Sequence, residues 1–541
     1  MAKKYRPVDR DQGFLLPPDM REWLGEDHPV WLVIRVVEEH LDTSAFHARR
    51  KTGGAGTAGY DPDMLVWAYA HEVRSSREIE RLCRTDVAFR VICAGNLPDH
   101  STVARFRAEF PEAVAGFFAQ VLGLCARLGM GRLGVVALDG MKIAASASKA
   151  ANRTEDTLVK LAREAVAAHA AADAAGDELS GPGRRGDEVP EDAWSPRRRD
   201  ERIRAALAGL EAERKAAQAA QEARAEAYRV RRRARERAGC PPASVAVEMA
   251  GENLARVRAM QQARIDDWQA RNAASLAATG HPLRGCPPVP ADRHCRVKEA
   301  EAKLAATRAR EAEAQRKAAE REAARKGPGP VRNITDPDSR LMPVRGGGFI
   351  QGYNTQNMTS GDKLIIATEL TDEQADSGWF EPMLARARDA AALIAAHHPD
   401  GSSPDDGIDL VLADAGYCSE PNLTCPGPDR LIATGKGRDL EHAARDPDSD
   451  GPGWGGPAIQ AMRERLKTPD GIAACRHRGH IAETPHGHIK HNMGLRQLSM
   501  RGKAKAAAEW TFAAAVHNLF KALTTGHLTS QALATLAGSA T

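Results

Sequence analysis

Two short stretches, LGVVALDG at residues 133–140 and IDLVLADAG at residues 408–416, decide the fold of this chain. Each is an apolar run followed by an aspartate and, shortly after, a glycine. Such runs are typical of strands that are buried on both faces of a sheet. Ligands bind at the carboxyl ends of strands in open α/β sheets. Asp139 and Asp414 are therefore predicted to lie at one rim of a sheet, where buried carboxylates need partners or a metal ion.

The composition of the 541 residues favours two or three domains with a sizeable core. The 76 basic side chains nearly balance the 72 acidic ones, so a nucleic-acid partner has to bind local basic patches. The nine cysteines form no C-x-x-C pair and are predicted to be reduced thiols. Because no apolar run is long enough to span a bilayer, we expect a cytoplasmic protein without a membrane partner.

The first part of the chain, residues 1–130, is predicted to be an all-α domain. Its short helical patterns, joined by tight turns, are typical of a helix-turn-helix-like DNA-binding domain. The most basic of these helices, DHSTVARFRAEF, carries Arg105 and Arg107 as candidate DNA contacts. A plain helical bundle with solvated arginines is the alternative interpretation.

The remainder alternates between globular and highly charged sequence. Residues 153–330 are rich in Ala, Arg, Glu and Lys. They predict a long helical insertion that resembles a coiled coil. The flanking segments 131–152 and 331–527 interleave strands with helices, and they predict one α/β domain that this insertion interrupts. Residues 528–541 are expected to be a C-terminal tail.

The stretch HIAETPHGHIKHN at residues 480–492 adds a third acid, Glu483, on a predicted helix. Three carboxylates from separate elements suit a pair of Mg²⁺ ions, which prefer oxygen ligands and keep positions open for phosphate. Each acid alone is also explained as a helix cap or a surface charge. The histidines at 480, 486, 488 and 491 are interpreted as surface or DNA-facing side chains, because no partner cysteines stand at zinc-finger spacing.

An ordered series of blocks resembles the bacterial insertion-sequence DDE transposases with an InsH-type N-terminal helical domain. The blocks in the α/β part are LDGMKIAASASK, TDPDSRLM, GGFIQGYNTQ, VLADAGYCS and AETPHGHIK, followed by RG, EW and HNLFKAL. Those in the helical part are DQGFLLPPDMREWL, YDPDMLVWAYAHEVRSSREIERLCRTDVAFRVI and LPDHSTVARF. The resemblance covers roughly residues 10–150 and 330–525. The order of the blocks is specific, although no single block is.

The resemblance implies an RNase H-like mixed sheet with flanking helices. It implies a catalytic and metal-binding triad, with Asp139 on the first strand, Asp414 on the fourth and Glu483 on a following helix. The triad would bind two Mg²⁺ (or Mn²⁺) ions, one to activate water or a 3′-hydroxyl and one to stabilise the leaving oxygen. The implied reaction is the cutting and joining of double-stranded DNA at the ends of a mobile element.

The same resemblance implies DNA contacts and an assembly. Lys490 matches a family lysine, seven residues after the glutamate, that holds a phosphate near the cut. Lys142 is a further candidate DNA contact, and Asn354 and Gln356 are expected beside the acids. The implied partners are terminal inverted repeats, target DNA and a second copy of the chain, in a nucleoid-associated homodimer. Dimerisation through the insertion is a hypothesis from its helix-forming composition.

Other functions are compatible with the residues. An inactive or repurposed transposase would bind DNA without cutting it, and retained cutting with Mg²⁺ would exclude it. A metal-dependent nuclease would cut without joining, and strand-transfer products would exclude it. A structural protein built around the coiled coil would leave both globular segments unexplained.

Overall fold

The computed structural model describes residues 19–47, 62–109, 111–165, 167, 196–234, 240–324, 331–344, 346–399, 407–435 and 455–538. The chain forms two compact units. The first consists of Met1–Asn152 together with Asn333–Thr541, and the second is Arg153–Arg332. The first unit is a mixed α/β structure, and the second is built from long helices.

A mixed sheet lies at the centre of the first unit. The strands in the described part of the chain are β1 (Val135–Ala144), β2 (Asn152–Thr154), β3 (Val331–Asn333), β4 (Arg340–Pro343), β5 (Phe349–Thr359), β6 (Ile365–Thr371), β7 (Leu410–Ala413) and β8 (Asp429–Ile432). β4 and β6 both pair with β5, and the order then continues through β1 and β7 to β8. β1 is antiparallel to β5 and parallel to β7, and β7 is parallel to β8. β2 and β3 form a separate two-stranded sheet.

The length of β1 differs from the prediction. The apolar run predicts a strand that ends at Asp139, but β1 continues to Ala144 because β5 pairs with it over Ala137–Ala144. On its other side β1 pairs with β7 only over Val135–Leu138. Asp139 therefore lies in mid-strand, at the point where the neighbouring strand ends.

Helices account for most of the remaining described residues of the first unit. Before the sheet they are α1 (Met20–Trp23), α2 (Pro29–Arg35), α3 (Ser44–His47), α4 (Asp63–Ala70), α5 (Ser76–Thr85), α6 (Val87–Ile92), α7 (His100–Glu109) and α8 (Pro111–Arg127). Side chains cap two of these helices: Ser75 accepts a hydrogen bond from Glu78 N at the start of α5, and Asp86 accepts one from Phe89 N at the start of α6.

The second unit contains α9 (Pro196–Arg233), α10 (Ala243–Thr279) and α11 (Cys295–Ala324). α10 and α11 pack through Leu254, Val297 and Ala300, with an ion pair between Arg258 and Glu301. α10 ends at Gly280, whose φ of 71° is the left-handed conformation that glycine adopts readily.

After the insertion the first unit resumes with α12 (Phe380–His397), α13 (Glu420–Thr424), α14 (Pro457–Leu466), α15 (Pro469–Gly487), α16 (Lys503–Thr524) and α17 (Ser530–Gly538). α14 and α15 cover one face of the sheet, where Ile481 and Met462 pack on Ala137 and Leu412. Val136 and the N-terminal helices belong to a separate, larger core that includes α12 and α16. Ala137 and Asp139 are two residues apart on β1, so their side chains point to the same face of the sheet. Since α15 packs on Ala137, it is also the helix that faces Asp139.

Two sequence expectations concern the whole chain. All nine cysteines are free thiols. Among the described residues, no helix combines the length and the apolar character needed to cross a membrane.

Candidate active site

Asp139 and Asp414 are neighbours at the end of β7. Leu138 pairs with Ala413 in parallel register, so the next residue along each strand is one of these two aspartates. Adjacent strands are about 4.8 Å apart. Burial raises the pKa of Asp414, and the nearby negative charge of Asp139 raises it further. The structure thus brings together two acids that lie 275 positions apart in the numbering of the chain.

The turn after β7 holds Asp414 in place. The backbone N–H of Gly416 donates to Asp414 Oδ1 at 2.9 Å. Tyr417, the next residue, is fully buried, and its hydroxyl donates to Gln356 Oε1 on β5. This pair of contacts ties the acid-bearing turn to the central strands of the sheet.

Helix α15 presents two nitrogen-bearing side chains to Asp139. Arg478 Nη1 lies 3.7 Å from Asp139 Oδ1, and His486 Nδ1 lies 3.4 Å from Asp139 Oδ2. The two side chains are eight residues apart, a little over two helical turns, and so lie near one face of the helix. His486 is buried, and its Nε2 has no hydrogen-bond partner among the described residues. The interpretation of His486 as a surface histidine is wrong, whereas His480 and His491 are exposed as expected.

Glu483 lies on the exposed side of the same helix. It precedes His486 by three residues, a spacing that makes the two side chains neighbours on the helix surface. Its Oε1 lies 3.8 Å from the position that a Cβ on Gly479 would take, one turn earlier. In the described part of the chain, Asp139, Asp414 and Glu483 do not form a group whose ligand atoms all lie within 4.8 Å. The predicted triad is thus placed as a close pair of acids with the glutamate on the adjoining helix.

A further acid, Asp376, lies between β6 and α12, next to the central strands. Its Oδ1 accepts hydrogen bonds from Asn354 Nδ2 at 2.6 Å and from Gln356 Nε2 at 2.9 Å. Lys142 Nζ lies 3.1 Å from the same oxygen and also donates to the carbonyl oxygen of Gln374 at 2.8 Å. Asn354 and Gln356 therefore contact Asp376, an acid outside the predicted triad. Lys142, a predicted DNA contact, has its ammonium group engaged by Asp376.

The two arginines of α7 point in different directions. Arg105 is exposed. Arg107 is only partly exposed, donates to the carbonyl oxygen of Arg74, and lines a small apolar cavity together with Tyr69 and Glu509. The position of Arg107 indicates a structural role in the packing of the N-terminal helices.

Lys490 lies just beyond α15, in the π-helical turn His488–Asn492, and is partly exposed. Pro485 stands inside α15, where it has no N–H to donate to the preceding turn. A π-helical turn has more residues per turn than an α-helix. The seven-residue spacing from Glu483 to Lys490 therefore does not put the two side chains on one face in the way that a regular helix would.

Sequence reasoning did not assign Arg478, His486 or Asp376 to the site. The eight-residue spacing between Arg478 and His486, flanking a buried stripe of α15, is a signal that was available. For Asp376 there was no comparable signal, because TDEQADS is a polar segment without helical or strand periodicity.

Comparison with known families finds two matches, both in the first unit. Residues 18–109 match a family described as a transposase domain (DUF772). Residues 457–523 match a family described as a transposase DDE domain, and this segment contains Arg478, Glu483 and His486. Asp139 and Asp414 lie outside both matched segments. Searches of curated proteins and of solved structures find no match. The two domains indicate a transposase and agree with the resemblance to insertion-sequence DDE transposases.

Proposed function

We propose that this transposase cuts and joins double-stranded DNA at the ends of an insertion sequence, by phosphoryl transfer in an RNase H-like domain. The observation that carries the proposal is the position of Asp139 and Asp414 directly after the paired residues Leu138 and Ala413, at the rim of the mixed sheet. The strand order supports the fold, since a long central β1 lies between antiparallel β5 and parallel β7. Helix α15, which covers this rim, lies inside the segment that matches the DDE domain.

The residues at the rim fit divalent cations. Asp139 and Asp414 are partly buried carboxylates whose mutual repulsion adds to the raised pKa of Asp414, and a cation would relieve that repulsion. Carboxylate oxygens are the ligands that Mg²⁺ and Mn²⁺ prefer. We assign Asp139, Asp414 and Glu483 as the residues that would hold two such ions. When bound, the ions supply an activated oxygen nucleophile and stabilise the leaving oxygen of an in-line displacement.

The protein's own groups provide geometry and charge around this centre. The backbone pairing of β1 with β7 sets the spacing of the two acids before any ligand arrives, so little reorganisation is needed at the moment of reaction. Burial raises the pKa of Asp414, and the guanidinium of Arg478 opposes this effect and favours the ionised acid. Arg478, partly exposed beside Asp139, also offers a cation to a phosphate that enters the site.

The DNA contacts belong to the same proposal. Arg105 on α7 and Lys490 beyond α15 are at least partly exposed and are suited to phosphates. Terminal inverted repeats and target DNA are the proposed substrates. Two DNA ends have to be joined in one complex, so a homodimer on DNA is the proposed active form.

A second candidate is a DNA-binding protein that has lost catalysis. It is favoured by two observations: Asp139 already has Arg478 and His486 as neighbours, and Glu483 is exposed. In this reading the N-terminal helices bind DNA and the acidic rim has only a structural role.

A cleavage assay separates these candidates. The purified full chain is incubated with labelled DNA from either flank of its own gene, with Mg²⁺ or Mn²⁺, and both nicked and strand-transfer products are measured. We expect Asp139→Asn and Asp414→Asn to abolish the products and to change DNA binding by less than about twofold. Asp389→Asn, an exposed acid on α12, is the matched control and should retain full activity.

Each outcome has a defined meaning. Wild-type protein that binds the flanking DNA without cutting it supports the non-catalytic candidate. Cutting without strand transfer supports a nuclease. Equal losses of binding and cutting in Asp414→Asn contradict the catalytic assignment of that residue.

A further inference from the structure

We propose that His486 is a positioning residue for Asp139: its buried imidazole holds one oxygen of this carboxylate, in the orientation in which the acid takes part in the reaction. The inference rests on the proposed function, because it adds a residue to the same site. It concerns a side chain outside the predicted triad, and it assigns to His486 no contact with a cation or with DNA.

The two oxygens of Asp139 face different side chains of α15. Oδ2 lies 3.4 Å from His486 Nδ1, and Oδ1 lies 3.7 Å from Arg478 Nη1. No other cationic or imidazole side chain pairs with this carboxylate among the described residues. The side chain of Arg478 is 20 % exposed, whereas that of His486 is 8 % exposed. The arginine is therefore free to turn towards a phosphate, and the histidine is enclosed beside the acid.

The fold supports the imidazole on a second side. Its ring centroid lies 6.4 Å from that of Trp510 on α16. The indole N–H of Trp510 donates to Asn357 Oδ1 at 3.2 Å. Asn357 on β5 is the residue that pairs with Asp139 on β1. The series of contacts that starts at Asp139 therefore returns to the same position of the sheet, and the ring is held between the acid and the indole.

The surroundings of the two ring nitrogens determine which one carries the hydrogen. Nε2 of His486 is buried and has no hydrogen-bond partner in the described part of the chain. A neutral imidazole has one N–H donor and one acceptor nitrogen. A hydrogen on Nε2 would leave a buried donor unpaired and would set the lone pair of Nδ1 against the negative oxygen of Asp139. A hydrogen on Nδ1 instead points a donor at that oxygen, so the geometry favours this tautomer.

The contact supplies an orientation that the strand alone does not supply. Pairing with β5 sets the backbone position of Asp139. The rotation of a carboxyl group about its last bond has only broad preferences, so backbone pairing leaves it open. A donor at Oδ2 restricts this rotation before any ligand arrives. Groups that are oriented in advance lower the cost of binding and of the reaction.

Two competing explanations lead to different results. If only the packing of the ring against Trp510 matters, an apolar side chain of similar size serves equally well, and cation affinity is unchanged. If the contact with Asp139 keeps other ligands away, removal of the imidazole strengthens cation binding. A binding measurement that requires neither DNA nor turnover separates both explanations from the positioning role.

The test is a titration of the full chain with Mn²⁺ alone, followed by electron paramagnetic resonance of the free ion. We expect His486→Leu to weaken Mn²⁺ binding by about tenfold or more, the usual cost of removing an outer partner of a metal ligand. His486→Asn, whose amide places an N–H donor near the position of Nδ1, should recover most of this loss, whereas His486→Gln, whose amide lies near Nε2, should not. His480→Leu, at an exposed position of the same helix, is the matched control and should bind Mn²⁺ like the wild type. An affinity that is unchanged or increased in His486→Leu, or the absence of Mn²⁺ binding by the wild type, would overturn the proposal.

A second measurement uses the unaltered chain without metal, in case His486→Leu does not fold. Long-range proton–nitrogen NMR spectra of isotopically labelled histidine show which ring nitrogens carry hydrogen, and the signals of His486 are those that His486→Asn lacks. We expect a hydrogen on Nδ1; a ring with hydrogen on Nε2 alone would overturn the proposal. A chain that shows this hydrogen and the expected Mn²⁺ affinities but does not cut DNA would contradict the proposed function and leave the role of His486 intact. A chain that cuts DNA while His486→Leu binds Mn²⁺ like the wild type would do the reverse.

Discussion

The buried histidine of α16 gives a quantitative prediction for acid stability. His517 is fully buried; its Nε2 lies 3.2 Å from the carbonyl oxygen of Lys363, and its Nδ1 lies 3.0 Å from His488 Nδ1. Burial, reinforced by the nearby His488, lowers the pKa of His517 from its ordinary value of 6.5 to about 3. The folded protein therefore keeps this ring neutral at a pH where the unfolded chain protonates it.

The pH dependence follows from this difference in pKa. Between pH 6.5 and pH 3 the unfolded state binds one more proton at this position than the folded state, so stability falls as the pH falls. The cost is about 1.4 kcal/mol for each pH unit below 6.5, or roughly 2 kcal/mol at pH 5. Above pH 6.5 the ring is neutral in both states and this cost is absent; below pH 6.5 the cost grows until the folded state also binds the proton, at about pH 3.

The perturbation is His517→Gln, compared with the wild type by urea unfolding at pH 7.5, 6.0 and 5.0. Tryptophan fluorescence is a suitable signal because Trp510 is buried on the same helix. Protonation of the histidines that do not contact His517 affects both proteins equally, so the difference in unfolding free energy isolates His517 together with its ring partner His488. We expect the advantage of the wild type at pH 7.5 to shrink by roughly 2 kcal/mol at pH 5.

The control is His480→Gln, an exposed histidine on α15, whose stability should follow that of the wild type at every pH. The reasoning is refuted if the wild type and His517→Gln lose stability in parallel. A constant difference would mean that His517 takes up its proton in the folded state near its ordinary pKa.

Three further predictions concern the site and its supports. Gly416→Ala should lower both DNA cleavage and Mn²⁺ affinity, since its Cβ would lie about 3 Å from two carboxylate oxygens; Gly116→Ala, whose Cβ would meet nothing within 4 Å, should change neither. Arg105→Ala should weaken DNA binding and lower the slope of log K against log salt concentration by about one phosphate contact, without a change in melting temperature. Arg107→Ala should instead lower the free energy of unfolding by about 1–3 kcal/mol, because it leaves the carbonyl oxygen of Arg74 without this donor. Trp510→Phe should lower the free energy of unfolding in urea by about 1–3 kcal/mol, because the indole N–H donates to Asn357 Oδ1 at 3.2 Å and to Thr368 Oγ1 at 2.9 Å, both buried. A loss no larger than that caused by a substitution on the exposed surface would contradict this prediction.

Apolar periodicity predicted the elements whose burial is encoded locally. The apolar run before Asp414 predicts the strand β7. This strand ends at Ala413 because a polar aspartate and a turn that contains a glycine come next. The helix Phe380–His397 likewise has buried apolar residues at helical spacing, among them Met383, Leu384, Ala387 and Ala390. In both elements the residues that decide the structure are close together in the chain.

The parts that sequence reasoning missed depend on distant partners. The second half of β1, DGMKIA, has no apolar pattern of its own and is a strand because β5 pairs with it. His486 has a polar neighbourhood in the sequence and is buried because α15 packs on the sheet at Asp139. Asp376 contacts the central strands only through side chains of β1 and β5, which no local pattern reveals.

Because Leu138 pairs with Ala413 in parallel register, the distance between Asp139 and Asp414 is set by the strand register and can change only in whole-residue steps. Substitutions in the core can tilt or compress a sheet slightly, but they do not change which residues face each other across the backbone ladder. A slip of one residue would move Asp139 to the opposite face, with no intermediate state. Drift in the surrounding apolar residues should therefore preserve the acid pair, whereas deletion of a single residue from 133–138 or 408–413 should destroy it in one step.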